Sequence, residues 1–410
     1  MKSNNKSFIC IKIIIIIFSL TLLNLKVKLE NTRLFSKYIL NNKVQVPGLL
    51  TIAPITLFGS NPDGSVSDEE RNYLNGRTKN IGLYILGGTA VSQEGIAYPN
   101  MPRALSEKDL ESLKERAKII KDQGALAINQ IFHGGALAES KYSGMNSVAV
   151  SAEIYNKGLS KKDINNGIAK KQLNNEDILR IIKDFSNATE LSIKAGFDGI
   201  EIHGANNFLL QQFYSGYYNK RKDEWGGSLE KRMRFPLEVV DACCKIRDKY
   251  NKPEFIIGYR LSPEEPFEEG ITMTETLSLV RELVKKPLQF IHVSETDYFK
   301  EARRGEGKGT PRLKLIHEIT KGKMALIGVG GLNTDKDFNK ALNSGYSDLI
   351  GTGRASMLNK DLAILLKEGK ADKLEVALDP NHPEKYSYPK ILWEMNIKGT
   401  EDWLPPVQKK

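Results

Sequence analysis

The sequence predicts a (β/α)8 TIM barrel, an α/β fold in which eight parallel strands alternate with helices. Three observations support this prediction. Eight short apolar runs follow residue 45, stretches with helical periodicity separate them, and the runs end in glycines or hydrogen-bonding side chains. A doubly wound open sheet is the structural alternative, but eight repeats of one strand and helix theme favour closure into a barrel.

The predicted strands are short and rich in aliphatic and β-branched residues. Their sequences are LLTIAP (49–54), IGLYILGG (81–88), ALAINQI (125–131), FDGIEIHG (197–204), FIIGYRLS (255–262), QFIHVSE (289–295), MALIGVGG (324–331) and SDLIGTGR (347–354). Helices are predicted between them over 106–124, 175–196, 228–250 and 334–345. In the first of these helices, Ser106 and Asp109 offer a capping pair at the start, and Gly124 ends the helix.

Composition narrows the class of protein. The chain has 410 residues, of which 40% are hydrophobic and 27% charged, as in ordinary globular proteins. Its net charge of +10 is spread along the chain without a basic tract interleaved with aromatic residues, so no nucleic-acid partner is expected. Cys10, Cys243 and Cys244 cannot build a disulfide framework, a CxxC metal site or an iron–sulfur cluster. We therefore expect no metal and a reducing, cytoplasmic compartment.

Residues 1–30 stand apart from the barrel prediction. They have a basic start and an apolar run from Ile13 to Leu23, which is shorter than the about 20 residues that span a bilayer. Two readings stay open: a short membrane anchor or signal, and an extension with no targeting role. We assign the barrel to residues 31–410, and the oligomeric state stays open.

The ends of the predicted strands carry the chemistry. In barrels of this type the carboxyl ends of the strands meet on one face, where active sites lie. The residues at these ends are Ala53, Pro54 and Thr56; Gly88; Gln130 and His133; His203 and Asn206; Arg260; Ser294; Gly330 and Gly331; Gly353 and Arg354. Glycine amides and one guanidinium at the last two ends are suited to bind a phosphate. For His133, a structural and a catalytic role stay open.

Several motifs occur in the order known from one family. They are APIT (53–56), DGSVSDEE (63–70), NQIFHGG (129–135), HGANNFLLQQF (203–213), NKRKDEWGGSLEKRMRF (219–235), GYRLSPEE (258–265) and LIGTGR (349–354). From Leu34 to about Leu366 the chain resembles the Old Yellow Enzyme family, the FMN-dependent ene-reductases also called NADH:flavin oxidoreductases. The resemblance implies that FMN lies across the mouth of the barrel.

The resemblance also implies a role for each strand end. Ala53, Pro54 and Thr56 would contact the pyrimidine side of the flavin, and Gly88 would leave room for the ring. Gln130 would bind the pyrimidine edge, and Arg260 would place positive charge beside N1. The phosphate would be held by Gly330, Gly331, Gly353 and Arg354.

His203 and Asn206 are three residues apart, and we expect them at the start of a helical turn, facing the same way. In the family this pair binds the carbonyl of an activated alkene, so that hydride passes from NADH or NADPH through FMN to a small electron-poor substrate. The mechanism would be ping-pong, because one face of the flavin serves both substrates.

One position departs from the family pattern. Many members have a tyrosine two residues after the asparagine, which protonates the α-carbon, whereas this chain has Phe208. Either Tyr298 or solvent would supply this proton instead, or the enzyme catalyses a reaction other than enone reduction. The alternatives that stay open are a flavin amine dehydrogenase or demethylase, a membrane-tethered flavoprotein without turnover, and a phosphate-binding barrel without flavin.

Residues 302–309 are interpreted as a surface loop or a lid, and Trp403 is expected to pack the C-terminal tail on the barrel.

Overall fold

Eight strands form a closed parallel barrel in chain order, as predicted. The computed structural model describes residues 33–159 and 169–408. The strands are β1 (Leu50–Ile52), β2 (Leu83–Ala90), β3 (Leu126–Phe132), β4 (Gly199–Gly204), β5 (Ile256–Leu261), β6 (Phe290–Val293), β7 (Ala325–Val329) and β8 (Leu349–Thr352). The ring closes where Ile350 of β8 pairs in parallel with Leu50 of β1. This closure confirms the (β/α)8 prediction and excludes the open sheet.

Helices follow the strands and cover the outside of the barrel. They are α1 (Asp68–Leu74), α2 (Leu110–Lys121), α3 (Asn175–Lys194), α4 (Leu229–Lys249), α5 (Met273–Leu283), α6 (Arg312–Thr320), α7 (Asp335–Ser344) and α8 (Leu362–Lys367), with α9 (Lys390–Lys398) near the C-terminus. Shorter helices span Ser140–Ser143, Ala152–Asn156, Leu209–Tyr214 and Arg354–Leu358. No helix within the two described ranges is long and apolar enough to cross a membrane, and residues 1–30 lie outside those ranges.

The predicted caps explain where the helices begin and end. Ser106 and Asp109 form a capping box, although the first turn, Glu107–Asp109, is a 3-10 helix that leads into α2. Gly124 follows α2 with a φ of +98°, a conformation that glycine adopts without steric cost. α4 continues through Pro236, which cannot donate a backbone hydrogen bond to the preceding turn.

The barrel interior changes from apolar to polar along its axis. Its lower part is filled by one apolar cluster, which includes Ile85, Ile128, Phe290 and Ile327. The antiparallel strands Tyr38–Ile39 and Gln45–Val46 close this amino-terminal end, because Leu40 and Val46 belong to the same cluster. Toward the carboxyl ends of the strands, four fully or almost fully buried side chains are polar: Gln130, Glu201, Arg260 and His292. Because buried polar groups need hydrogen-bond partners, we expect other polar residues or a ligand at that end of the barrel.

Candidate active site

A cavity of about 730 Å³ opens at the carboxyl ends of the barrel strands. Its volume lies in the usual range for sites that bind cofactors and small molecules. The predicted site residues that line it are Pro54, Thr56, Gly88, Gln130, His203, Asn206 and Arg260. Ala53 does not line the cavity, and its N–H donates to the carbonyl of Thr352 at 2.9 Å, which ties the end of β1 to β8. The barrel therefore brings together side chains that are up to about 200 positions apart in sequence.

His203 presents one hydrogen-bond donor to the cavity. The backbone N–H of Ala205 donates to its Nδ1 at 3.2 Å. Burial, followed by the charges of Arg260 and His292, lowers the pKa of His203 well below its usual value, so the ring is neutral. A neutral imidazole that accepts at Nδ1 carries its proton on Nε2. His203 is almost fully buried but lines the cavity, so that proton is available to a bound group.

Asn206 presents a second donor. Its backbone has a φ of +57°, a left-handed conformation that asparagine tolerates better than most residues. The hydroxyl of Ser294 donates to its Oδ1 at 2.8 Å, and that of Ser262 lies 3.4 Å from the same atom. Because the oxygen is held in this way, the amide Nδ2 is left to donate into the cavity.

The expected helical turn between His203 and Asn206 is wrong. His203 belongs to β4, Asn206 lies in a left-handed turn, and the following helix begins only at Leu209. The side chains converge because Ser262 after β5 and Ser294 after β6 hold Asn206, and not because of helical periodicity. The convergence itself is as expected, since both residues line the same cavity.

A buried network of polar side chains in the barrel interior holds the amide of Gln130. The Nε2 of Gln130 donates to Glu201 Oε1 at 2.6 Å, and His292 Nδ1 lies 2.7 Å from Glu201 Oε2. Burial lowers the pKa of His292. Sequence reasoning missed Glu201 and His292, although an acidic residue inside the apolar run FDGIEIHG was a usable signal.

Arg260 fits an electron-rich ligand in the cavity. Its side chain is buried, yet its guanidinium makes no hydrogen bond to the part of the chain that the structure describes, and its Nε is buried without a partner. Glu201 is close enough to act on it electrostatically, and burial lowers the pKa of Arg260. A buried cation without hydrogen bonds is costly unless a ligand supplies them. The donors of Arg260, with the amide of Gln130 and the hydroxyl of Thr56, suit the polar edge of a flavin.

The predicted phosphate residues lie beside the cavity and do not line it. Gly330 and Gly331 follow β7, and Gly353 and Arg354 follow its neighbour β8. The two loops are joined where the hydroxyl of Thr352 donates to the carbonyl of Leu332 at 3.0 Å. The predicted adjacency of these residues is therefore present. Arg354, however, lines a separate shallow depression formed with C-terminal residues.

Other residues singled out in the sequence lie elsewhere. Tyr298 does not line the cavity, and its hydroxyl is 2.7 Å from the Oγ of Ser347, so the suggestion that it supplies the proton is wrong. His133 is fully buried and its Nδ1 accepts the N–H of Gly135 at 2.9 Å, which favours the structural role. Residues 303 and 304 bond to carbonyls of the loop after β5, as a surface loop would.

The C-terminal region contributes to the cavity in a way that the sequence did not indicate. Ile391 and Met395 of α9 line it, together with Glu401 and Trp403. Trp403 was expected to pack the tail on the barrel, but this residue is 39% exposed and its neighbour Leu404 is buried. These contacts are distant in sequence and carry no local pattern.

The barrel and its cavity define an enzyme that binds a cofactor at the carboxyl ends of its strands. The chain belongs to the NADH:flavin oxidoreductase / NADH oxidase family, whose sequence profile it matches over residues 39–373. FMN is the cofactor and NADH the hydride donor in this family of oxidoreductases. The resemblance to Old Yellow Enzyme is thereby confirmed.

Individual relatives agree with this assignment. The chain is 37% identical to the probable NADH-dependent flavin oxidoreductase YqiG of Bacillus subtilis, over 91% of this chain and 97% of the relative. It is 32% identical to the putative 12-oxophytodienoate reductase 11 of Oryza sativa subsp. japonica, over 71% of this chain and 78% of the relative. A solved Old Yellow Enzyme homologue from Zymomonas mobilis superposes with a TM-score of 0.71 at 26% identity, covering 87% of this chain and 99% of that one.

Proposed function

We propose that this oxidoreductase reduces the double bond of an activated alkene, such as an α,β-unsaturated carbonyl compound. The observation that carries the proposal is the pair of donors, His203 Nε2 and Asn206 Nδ2, which face one cavity while their acceptor atoms are bound. Two such donors on one carbonyl oxygen stabilise the negative charge that develops there during hydride addition. The relationship to a putative 12-oxophytodienoate reductase supports the same substrate class.

The remaining site residues are proposed to hold FMN. Bound FMN accepts hydride from NADH and supplies it to the substrate. We assign Ala53, Pro54, Thr56 and Gly88 to the near side of the ring, and Gln130 to its pyrimidine edge. Arg260 would contribute positive charge beside the ring, which its unpaired guanidinium supports.

The phosphate of FMN is assigned to the ends of β7 and β8. There Gly330, Gly331, Gly353 and Arg354 offer backbone N–H groups and one guanidinium. We further propose that residues 31–410 form the catalytic domain.

The test compares two reactions of one preparation. Protein of residues 31–410 is purified, its visible spectrum recorded and its released cofactor identified by mass. Under matched anaerobic conditions, one sample of the oxidised protein is mixed with a tertiary amine, and a second sample is reduced with NADH or NADPH and then mixed with 2-cyclohexenone. Reoxidation by cyclohexenone supports the proposal. A flavin that is reduced by amine and not reoxidised by cyclohexenone would indicate an amine dehydrogenase, and one that NADH and NADPH leave oxidised would indicate no turnover.

Two variants connect the activity to the donor pair. His203→Ala and Asn206→Ala should each retain FMN and slow reoxidation by cyclohexenone by about 10²- to 10³-fold, since each removes one donor to the oxyanion. The double variant should also lose affinity for phenols, whose oxygen would occupy the same position. Unchanged phenol binding in the double variant would contradict the assigned roles.

A further inference from the structure

Phe208 leaves one step of the proposed reaction without an obvious residue. Addition of hydride to one carbon of an alkene requires a proton for the other, and a phenyl ring has none to give. Phe208 lines the cavity, and its ring centroid lies 4.9 Å from those of His203 and Phe132. The proton must therefore come from another group near this ring.

Several polar groups of the cavity wall are already held in hydrogen bonds or ion pairs with other residues. The hydroxyls of Ser262 and Ser294 are held by Asn206. The carboxylates of Glu264 and Glu295 pair with the same arginine. These residues maintain the shape of the wall and are poorly placed to release a proton to a substrate.

The hydroxyl of Tyr98 differs from these groups because none of the neighbouring residues that the structure describes holds it in a hydrogen bond. It follows β2, lines the cavity and packs edge-on against Phe208, with ring centroids 6.3 Å apart at 90°. It packs in the same way against Phe58, at 5.6 Å. Within the described ranges its hydroxyl has no hydrogen-bond partner. The second tyrosine of the wall, Tyr142, is in contact with a cation, because the Nζ of Lys141 lies 4.6 Å from the centre of its ring.

The surroundings of Tyr98 keep its hydroxyl protonated. Burial raises the pKa of Tyr98, and the nearby carboxylates of Glu401 and Glu139 raise it further. Both carboxylates also line the cavity, so the side chain faces its acidic part. A phenol in this setting holds its proton at neutral pH and is available as a general acid.

We propose that Tyr98 donates the proton to the α-carbon of the substrate, a role that rests on the proposed function. Once hydride has been added to the β-carbon, the electron pair of the resulting enolate forms a C–H bond with the hydroxyl proton. The O–H electrons remain on the phenolate, which then takes a proton from water. Tyr98 thereby replaces the hydroxyl that is absent at Phe208, from the neighbouring ring.

The experiment uses Tyr98→Phe, with Tyr298→Phe as the matched control that removes a hydroxyl outside the cavity. FMN content, visible spectrum and phenol affinity of Tyr98→Phe should match those of the unmodified protein. Its reoxidation by 2-cyclohexenone should slow by at least about 100-fold, the usual loss of a general acid. Reoxidation by ferricyanide, which needs no protonation at carbon, should be unchanged, and Tyr298→Phe should keep both rates.

A second part of the experiment tests whether a hydroxyl on the adjacent ring restores the rate of reoxidation. In Tyr98→Phe, the additional change Phe208→Tyr should recover at least about tenfold of the lost rate, because it places a hydroxyl on the adjacent ring. If Tyr98→Phe did not bind flavin, Tyr98→His would replace it. Its rate should fall as the pH rises above about 6.5, where a histidine loses its proton, while that of the unmodified protein stays flat.

The outcomes separate this proposal from the proposed function. Tyr98→Phe reoxidised by cyclohexenone within threefold of the unmodified rate would overturn the role of Tyr98. An equal loss with ferricyanide would also overturn it, because Tyr98 would then position the flavin. If the unmodified protein is reduced by NADH and no enone reoxidises it, the alkene reductase function fails first, and the proton donor with it.

Discussion

The hydroxyl of Ser294 lies 2.8 Å from the Oδ1 of Asn206, so a residue after β6 orients a side chain that follows β4. β5 lies between these strands in the barrel, and its own Ser262 contacts the same oxygen at 3.4 Å. Three successive strand ends therefore determine which end of one amide faces the cavity. Orientation of this kind decides whether the site offers a donor or an acceptor to a carbonyl oxygen.

Ser294→Ala should weaken binding of phenols by about fivefold, because one hydrogen bond that orients Asn206 contributes about 1 kcal/mol. FMN content should not change. The measurement is a phenol titration followed by flavin absorbance. Ser278→Ala is the control, since that exposed hydroxyl bonds the carbonyl of Thr274 on its own helix, α5. Equal phenol affinity in Ser294→Ala and the unmodified protein would show that Asn206 does not depend on Ser294.

Gly330→Ala should lower both the melting temperature and the affinity for FMN. Gly330 has a φ of +145°, and an added Cβ would lie 2.5 Å from the backbone N of Tyr298, which cannot rotate away. Gly345→Ala is the matched control, because its φ of +65° is also left-handed but, within the described ranges, no atom outside its chain neighbours and its own helix lies within 4 Å of its Cβ position. Thermal unfolding and FMN titration of both variants distinguish the collision of the new Cβ with Tyr298 from the strain of a left-handed alanine, because only the strain is expected in Gly345→Ala. Similar FMN affinities for the two variants would argue against close packing as the cause.

Arg116→Met should reduce the free energy of unfolding by about 3 to 5 kcal/mol, the usual effect of leaving one partner of a buried ion pair uncompensated. Arg116 and Glu70 are buried, and two nitrogens of the guanidinium bond the two carboxylate oxygens at 2.7 and 2.8 Å. This pair joins α2 to α1. Urea unfolding measures the change. Arg71→Met, which breaks an exposed pair with Asp68 and a partly exposed pair with Glu115, should cause little change.

The free energy of unfolding should decrease as the pH falls from 7.5 toward 5. Burial lowers the folded-state pKa of His133, His203 and His292 below the ordinary 6.5, so below that pH the unfolded chain binds more protons. Asp184, whose pKa is raised to about 6, acts in the opposite direction but only as one group. Each histidine contributes at most about 1.4 kcal/mol per pH unit.

Urea unfolding at several pH values measures this dependence. His292→Gln removes one titrating ring while keeping a donor for Glu201, and its stability should vary less with pH than that of the unmodified protein. A stability that stays constant between pH 7.5 and 5 would mean that these histidines are not held neutral by the fold.

The fold was predictable because its signals are local. Each barrel strand is an apolar run with glycine or polar residues at its end, and each predicted cap lies within a few residues of its helix. The positions of Gln130, His203 and Arg260 at one mouth then follow from strand direction alone, since parallel strands in a closed barrel all end on the same face.

The tertiary structure decided what these residues can do. That Asn206 offers its Nδ2 depends on Ser262 and Ser294, and that Gln130 is held from below depends on Glu201. It also placed Tyr98 beside Phe208 and turned Tyr298 away from the cavity. Sequence by itself determined the barrel and the order of its strand ends, because periodicity and capping act over a few residues. Side-chain orientation and the cavity wall were left to packing between distant segments, which no local pattern encodes.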